Sequence, residues 1–370
     1  MTRSHAALVT SRRVACALLA SALVAACGTA SSAAGPRGGD AALGKGSETP
    51  GTALRLGYLA NITHAGAIVG VDRGFLGRAL GPDVTLRTQT FKAGPSEVTA
   101  LIGGSLDAAY IGPNPAINAY VRSHGAALRI VSGATAGGAS LVVRADAGIS
   151  GASDLRGKTL ATPQLGNSQD VALRAWLARN GLHVDPTGGG DVKIAPTDNA
   201  TSLQLFQQHR IDGAWVPEPW ATRLVVEGHG RVLVDEATQW PGGRFPTTEL
   251  VVTRRFLDDH PVAVRRLLEG HLAATGYLAS NPAEARTVVN DGIGRITQKQ
   301  LSPTVVAEAW SHLSFTVDPL AAALSRSAAD AHAAGLLDRV DVGGILDLRI
   351  LDDLLAARGT PAVDAAGLQA

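Results

Sequence analysis

Between a strand-like KTLA and a helical VALRAWLARNG the chain reads TPQLGNSQD over 162–170, where Gln164, Asn167, Ser168 and Gln169 crowd four neutral hydrogen-bonding side chains into one strand-to-helix junction. The chemistry open to them is recognition. Amides and hydroxyls donate and accept, Gly166 lets a backbone N–H approach a guest closely, and a helix start offers free N–H groups to a small oxyanion. The same residues also suit a plain helix cap, with a short side chain accepting from first-turn N–H groups and Asp170 favouring the positive helix end. A second junction of the same kind, Asn61-Ile62-Thr63-His64, makes binding the stronger reading. His64 there is either a donor to the guest or a solvated loop residue.

Catalysis and metal binding find little support. Gly166-Asn167-Ser168-Gln169-Asp170 lacks the second glycine of G-x-S-x-G, and no histidine follows in a supporting motif. P-loop and dinucleotide fingerprints are absent. The 10 histidines are scattered, with no HExxH and no close pair at helical spacing. No catalytic residue, metal or cofactor is therefore assigned. Trp215 and Trp220 either stack on a ligand or pack inside the protein.

An internal repeat supplies the elements that position these junctions. LRLGYLA at 54–60, a polar loop and AGAIVGVDRGF match KTLATPQ at 158–164, a polar loop and DVALRAWLARNG, with Thr63 and Ser168 105 residues apart. VTLRTQTF then AGPSEVTALIGG match VKIAPT then DNATSLQLFQQ, and LDAAYIGPNPA matches IDGAWVPEPWA, so that Glu97 pairs with Ser202 and Asp107 with Asp212 at the same spacing. A βαβαβ unit written twice predicts two α/β lobes, each with a parallel-type sheet and helices on its faces. Ligands of such sheets sit beyond the carboxyl ends of the strands, which places the guest in the cleft between the lobes.

Two extended connections, 128–146 and 245–261, read as the hinge. The spacing divides the chain into lobe 1 over 52–142, lobe 2 over 143–246, a return to lobe 1 with C-terminal helices over 247–358, and a tail over 359–370. Ahead of these, Arg3, Arg12 and Arg13 precede the apolar VACALLASALVAA of 14–26, which reads as a signal peptide. Val24-Ala25-Ala26-Cys27 resembles a bacterial lipobox with Cys27 as the lipidated residue. Ser11-Arg12-Arg13 partly matches a twin-arginine signal, which leaves the export route open. Residues 27–51, rich in Gly, Ser and Ala, read as a flexible tether.

Charge then excludes a class of partner. The whole chain carries 33 basic and 32 acidic residues, and loss of 1–26 removes three arginines, leaving 30 against 32 and a formal charge of −2. Nucleic acid needs clustered positive charge and is not expected. Cys16 leaves with the signal and Cys27 takes lipid, so the body has no disulfide.

The strings GYLANITHAGAIVGVDRGFL, FKAGPSEVTALIGGSLDAAYIGPNPAINAY, LRIVSGATAGGASLVVR, ATPQLGNSQDVALRAWL and DGAWVPEPWA, spread over about 52–350, resemble the solute-binding lipoproteins of ABC importers for aliphatic sulfonates, taurine and nitrate. The resemblance implies a type II periplasmic-binding-protein fold: two lobes on a two-segment hinge that close on a small ligand and dock, as a monomer, on a membrane permease served by an ATPase. It carries the ligand loops onto Asn61, Thr63 and His64, Pro113 and Asn114, Gly133, Ala134 and Thr135, Gln164, Asn167, Ser168 and Gln169, Trp215 and Glu218, with Glu249 a weaker candidate. The resemblance thus implies an exported, membrane-anchored receptor for an organosulfonate that performs no turnover.

No arginine or lysine is expected at a loop tip within these strings, whereas a tightly held anion often has one. Neutral donors and helix ends suffice for a delocalised sulfonate charge, and Glu218 would suit a ligand that also carries an amine, such as a taurine-like zwitterion. The same scaffold also serves nitrate, bicarbonate and a pyrimidine precursor of thiamine. From other classes come a pyrimidine-synthesis-like enzyme, which would need Cys/His chemistry that this chain lacks, and a sensor or structural lipoprotein without transport.

Overall fold

The computed structural model describes residues 38–370; the signal segment 1–26, Cys27 and the first part of the tether lie outside the described residues. Among the described residues, eleven strands form two sheets. The strands are β1 (Thr52–Leu59), β2 (Val84–Phe91), β3 (Ala108–Ile111), β4 (Leu128–Gly137), β5 (Ala139–Arg144), β6 (Thr159–Thr162), β7 (Lys193–Pro196), β8 (Gly213–Pro217), β9 (Gly230–Asp235), β10 (Pro246–Thr253) and β11 (Leu313–Phe315). The first sheet runs β11-β4-β10-β3-β1-β2 and the second β7-β6-β8-β5-β9. In each, three parallel strands, β2-β1-β3 or β7-β6-β8, are followed by an antiparallel neighbour, β10 or β5.

The repeat seen in the sequence is therefore a repeat of topology. It extends to single hydrogen bonds. The Asp107 carboxylate accepts from the Arg55 N–H at 2.9 Å, and the Asp212 carboxylate accepts from the Thr159 N–H at 2.9 Å. Their carbonyls accept from the antiparallel neighbours, Thr253 N–H on Asp107 and Arg144 N–H on Asp212. Each aspartate ties the entry of its third strand to that of its first, which sets the register on which the cleft loops depend.

Side-chain alternation along the strands builds the cores. In lobe 2, Leu141, Val143 and Trp215 face a cluster with Leu173, Trp176 and Leu177, while Val142, Ala214 and Val216 face Leu203, Phe206 and Leu224. Both faces of that sheet are thus covered by helices, as a sheet with parallel crossovers requires. Lobe 1 has one larger core, in which Leu54, Leu56, Tyr110 and Ile130 are joined by Leu267, Leu268 and Leu324 of the C-terminal helices. Those helices, Pro261–Ser280, Pro282–Thr297, Pro303–Ser311, Ala321–Ala333 and Arg349–Ala356, fall where the apolar periodicity places them.

Three expectations about segment boundaries change. The tether is not free along its whole length: Gly38–Ala42 is helical, and Glu48 is buried with its carboxylate accepting from the Ala263 N–H at 3.0 Å and paired with His260 Nδ1 at 3.1 Å. One acidic side chain at the start of a lobe-1 helix is enough to fasten it. The lobe 1 to lobe 2 crossing falls at Gly138 and not after residue 142, because β5 pairs with β8 and β9 of the second sheet. Gly137 and Gly138, with φ of 80° and 72°, supply a left-handed turn between β4 and β5 that other residues rarely adopt. Finally, the 359–370 tail returns to the body, with Leu368 buried and the Ala370 N–H donating to the Leu346 carbonyl at 2.8 Å.

Candidate ligand-binding cleft

The ends of six parallel strands, the loops that follow five of them, and the β10 segment converge between the sheets. The cleft is lined by Leu59, Asn61, Thr63 and His64 after β1, Lys92 and Gly94 after β2, Gly112 after β3, Pro163, Asn167, Ser168 and Gln169 after β6, Asn199 after β7, Pro217 at the end of β8, and Thr247 of β10. Four pairs among these stand 105 residues apart: Thr63 with Ser168, His64 with Gln169, Gly94 with Asn199 and Gly112 with Pro217. The duplicated halves face each other through equivalent positions.

The β6 junction is held from behind. Buried Asp170 accepts from the Thr162 hydroxyl at 3.0 Å, from the Gly166 N–H at 3.0 Å and from Arg174 Nε at 3.1 Å. The Gly166 N–H is thus spent inside the loop and does not reach toward a guest. Asn167 caps the helix Ser168–Arg179, its Oδ1 accepting from the Gln169 N–H at 3.0 Å. Capping and binding are not alternatives here, because the cap uses the amide oxygen and leaves Nδ2 as a donor.

At the β1 junction the Thr63 carbonyl accepts from the hydroxyls of Thr135 at 2.7 Å and Thr248 at 3.0 Å, which fixes the turn 61–64 against β4 and β10. His64 is buried and not a solvated loop residue. Its Nδ1 accepts from the Leu59 N–H at 3.3 Å, and burial pushes its pKa down to about 3. The ring is neutral at physiological pH with its proton on Nε2, the remaining donor of a side chain that lines the cleft.

Contacts between the lobes bring these junctions together. Trp220 Nε1 donates to Asn61 Oδ1 at 2.9 Å, and the Asn114 N–H lies 3.3 Å from Ser168 Oγ. Near the hinge, His312 Nδ1 meets the Glu218 carboxylate at 2.7 Å.

Six expected ligand residues line the cleft: Asn61, Thr63, His64, Asn167, Ser168 and Gln169. The others stand elsewhere for identifiable reasons. Gln164 is half-buried beside it, 3.5 Å from Ser96 Oγ. Pro113 and Asn114 start the helix Pro113–Arg122, where Asn114 Nδ2 donates to the Ser327 carbonyl at 3.1 Å. Gly133, Ala134 and Thr135 lie within β4 as framework, the Gly133 N–H bonding the Val317 carbonyl at 2.9 Å and Thr135 holding Thr63. Trp215 faces the lobe-2 core beside Trp176, with Nε1 donating to Glu236 at 2.7 Å. Glu218 is buried and accepts from the Thr222 N–H at 3.1 Å and hydroxyl at 3.0 Å as well as from His312. Glu249 is buried with both oxygens unpartnered among the described residues; burial, aided by the Asp318 charge, raises its pKa well above the ordinary carboxylate value.

Leu59, Lys92, Gly94, Gly112, Pro163, Asn199, Pro217 and Thr247 are the additions. Lys92 overturns the expectation that no cation stands at a loop tip of these strings, since it follows β2 directly and lines the cleft. Gly94 and Asn199 were recoverable from the repeat, because they hold the first positions of equivalent helices, Gly94–Ile102 and Asn199–Gln207. Asn199 is 6% exposed, and its Oδ1 has no partner among the described residues. A buried amide oxygen left unpaired costs about 1–3 kcal/mol, so this position asks for a hydrogen-bond donor, from water or from a guest.

Two duplicated α/β lobes closing over a polar cleft at their strand ends define a protein of the periplasmic-binding-protein fold. The chain belongs to the NMT1-like family, which it matches over residues 47–291. It is similar to a candidate binding protein of Brucella abortus (strain 2308), 28% identical over 233 residues, 63% of this chain and 69% of the relative. Its fold is similar to that of the alkanesulfonate-binding protein SsuA from Xanthomonas axonopodis pv. citri bound to MOPS, with a TM-score of 0.67 and 22% identity over 79% of this chain and 96% of that one. It is likewise similar to the periplasmic nitrate-binding protein NrtA from Synechocystis PCC 6803, with a TM-score of 0.63 and 17% identity over 78% and 83% of the two chains.

Proposed function

We propose that this protein is the extracytoplasmic solute-binding component of an ABC importer, anchored through Cys27, that holds an organosulfonate between its lobes and releases it to a permease. The observation that carries the choice of ligand is the composition of the cleft: Lys92, the buried neutral His64, Asn61, Asn167, Ser168, Gln169 and Asn199 line it, and none of its lining residues is Asp or Glu. Neutral donors with one cation suit a delocalised monoanion. The case for an amine on the ligand rested on Glu218, which is occupied by Thr222 and His312, so a plain sulfonate is favoured over a taurine-like zwitterion. The lining holds no nucleophile paired with a base, which supports binding without turnover.

Isothermal titration calorimetry with methanesulfonate, taurine, nitrate, bicarbonate and an aminopyrimidine tests this reading. Saturable 1:1 binding of the sulfonate, tighter than the others and without heat proportional to substrate consumed, is expected. Preference for bicarbonate or the aminopyrimidine would refute the ligand class, and sustained heat would refute the receptor role.

A further inference from the structure

The base of lobe 2, at the strand ends that face away from the ligand cleft, holds a separate cavity of ≈ 490 Å³ whose lining includes Arg144, Asp146, Phe206, His209, Glu227 and His229. Both histidines have an uncommon backbone. His209 follows the helix Asn199–Gln207 with φ 58°, His229 follows Trp220–Val226 with φ 54°, and in lobe 1 His124 follows Pro113–Arg122 with φ 53°. This left-handed region beyond a helix end favours glycine, so each imidazole stands where a glycine would be less strained.

Two of the three rings are met by a guanidinium of this chain. Arg339 places Nη2 against His124 Nδ1 and donates to the Val121 carbonyl at 3.3 Å, and Arg144 places Nη1 against His209 Nδ1. The third ring, His229, corresponds to His124 by the 105-residue spacing of the repeat, as Val226 does to Val121. His229 is exposed on the cavity wall, and among the described residues no arginine of this chain makes the matching contact with it. Charge points the same way. Arg144 is shared by Asp146 at 3.2 Å and Asp212 at 3.3 Å, while Glu227 is paired with Arg223 at 2.8 Å, so three carboxylates are served by two guanidiniums. Arg210 and Arg231, basic neighbours in the sequence, do not line the cavity.

We propose that this cavity is a guanidinium-binding site, in which an arginine-like group from outside the chain lies against His229, Asp146 and the Val226 carbonyl as Arg339 lies against His124 and the Val121 carbonyl in lobe 1. The planar guanidinium has several donors in one fork and can serve a ring nitrogen, a carbonyl and a carboxylate together. An ammonium is a point charge and matches such a set less well. The added cation also brings the carboxylates and guanidiniums to equal number.

Nitrogen-15 NMR titration of the full exported chain tests the proposal, with agmatine, N-acetylarginine methylamide and N-acetyllysine methylamide as probes. Saturable shifts on residues 144–146, 207–209 and 227–229 are expected with a guanidinium probe, and weaker ones with the lysine derivative. His229→Gly suits the left-handed backbone and should keep the melting temperature while weakening the guanidinium probe at least ~5-fold, as loss of one hydrogen bond to a charged group requires. Asp146→Asn should weaken it comparably, and His124→Gly should leave it unchanged. Binding of agmatine with refusal of the arginine derivative supports a free guanidino compound as the occupant; binding of both supports an arginine side chain presented by a protein. The lysine derivative bound as tightly as the arginine one would overturn guanidinium recognition. The site itself would be overturned by full affinity in both His229→Gly and Asp146→Asn, or by the absence of saturable shifts with every probe.

Discussion

Gly112 and Ser168 meet across the cleft: a Cβ placed on Gly112 would lie 2.8 Å from Ser168 Oγ. The backbone there has φ −66° and ψ 153°, which any residue adopts, so nothing within lobe 1 calls for a glycine. With the lobes this close, a side chain there needs Ser168 Oγ to turn away. Gly112→Ala is expected to leave the melting temperature of the free protein within about 2 °C, to bias the lobes apart, and to weaken ligand binding at least ~10-fold, since a ligand must then supply the cost of closure. Small-angle scattering with and without ligand, alongside calorimetry, checks it; unchanged affinity would show that closure does not need this close approach.

The Trp220 to Asn61 bond is a second closure contact, and its loss can be separated from loss of the indole's bulk. Trp220→Phe keeps an aromatic wall and removes the N–H. A fall in affinity of about 5-fold, the worth of about 1 kcal/mol for one hydrogen bond, is expected for short and long sulfonates alike. A loss confined to long ones would mean that the ring matters and the bond does not.

Asn167 both caps a helix and faces the guest, and two substitutions divide these roles. Asn167→Asp retains the capping oxygen but replaces the Nδ2 donor with negative charge, so the urea midpoint should hold while affinity for an anion falls at least ~10-fold. The Asn167→Ala, Ser168→Ala pair should lower affinity comparably and also cost about 1 kcal/mol of stability through the lost cap. Retained anion affinity in the Asp variant would remove Asn167 from the site.

Glu249 gives a pH signature. Its folded-state pKa is raised well above the ordinary carboxylate value by burial, so the folded chain keeps its proton while the unfolded chain loses it above about pH 4.5. The penalty is absent at low pH and grows by about 1.4 kcal/mol for each pH unit above that, until the folded group itself ionises. Glu249→Gln is therefore expected to match the parent near pH 4.5, to exceed it in stability at pH 8, and to bind ligand unchanged because the residue lies outside the cleft. Urea midpoints at the two pH values decide this, and a ligand-affinity change would return Glu249 to the site.

Much of this architecture can be read along the chain. Asp107 and Asp212 announce their equivalence through spacing alone, and the same offset, applied one helix earlier, leads to Gly94 and Asn199, both in the cleft. Trp215 shows where such reading stops. It stands in the strand that leads into a Pro-rich loop, as a stacking residue could, yet period-two alternation turns it to the core side with Leu141 and Val143. Glu218, one residue past the cleft-lining Pro217, is drawn away by Thr222 in the next helical turn and by His312 from a distant part of the chain. Neither influence is encoded in the spacing of the loop itself.

Two lobes, their βαβαβ order and the convergence of the Asn61 and Asn167 helix starts were settled by the amino-acid sequence, because hydrophobic periodicity and a duplicated pattern are local properties that survive in one dimension. Which side chains reach the guest was decided only in three dimensions. Lys92 and Asn199 turn in while Trp215, Glu218 and Glu249 turn away, because direction at a strand end depends on register, on hydrogen bonds to distant segments and on how far the two lobes close.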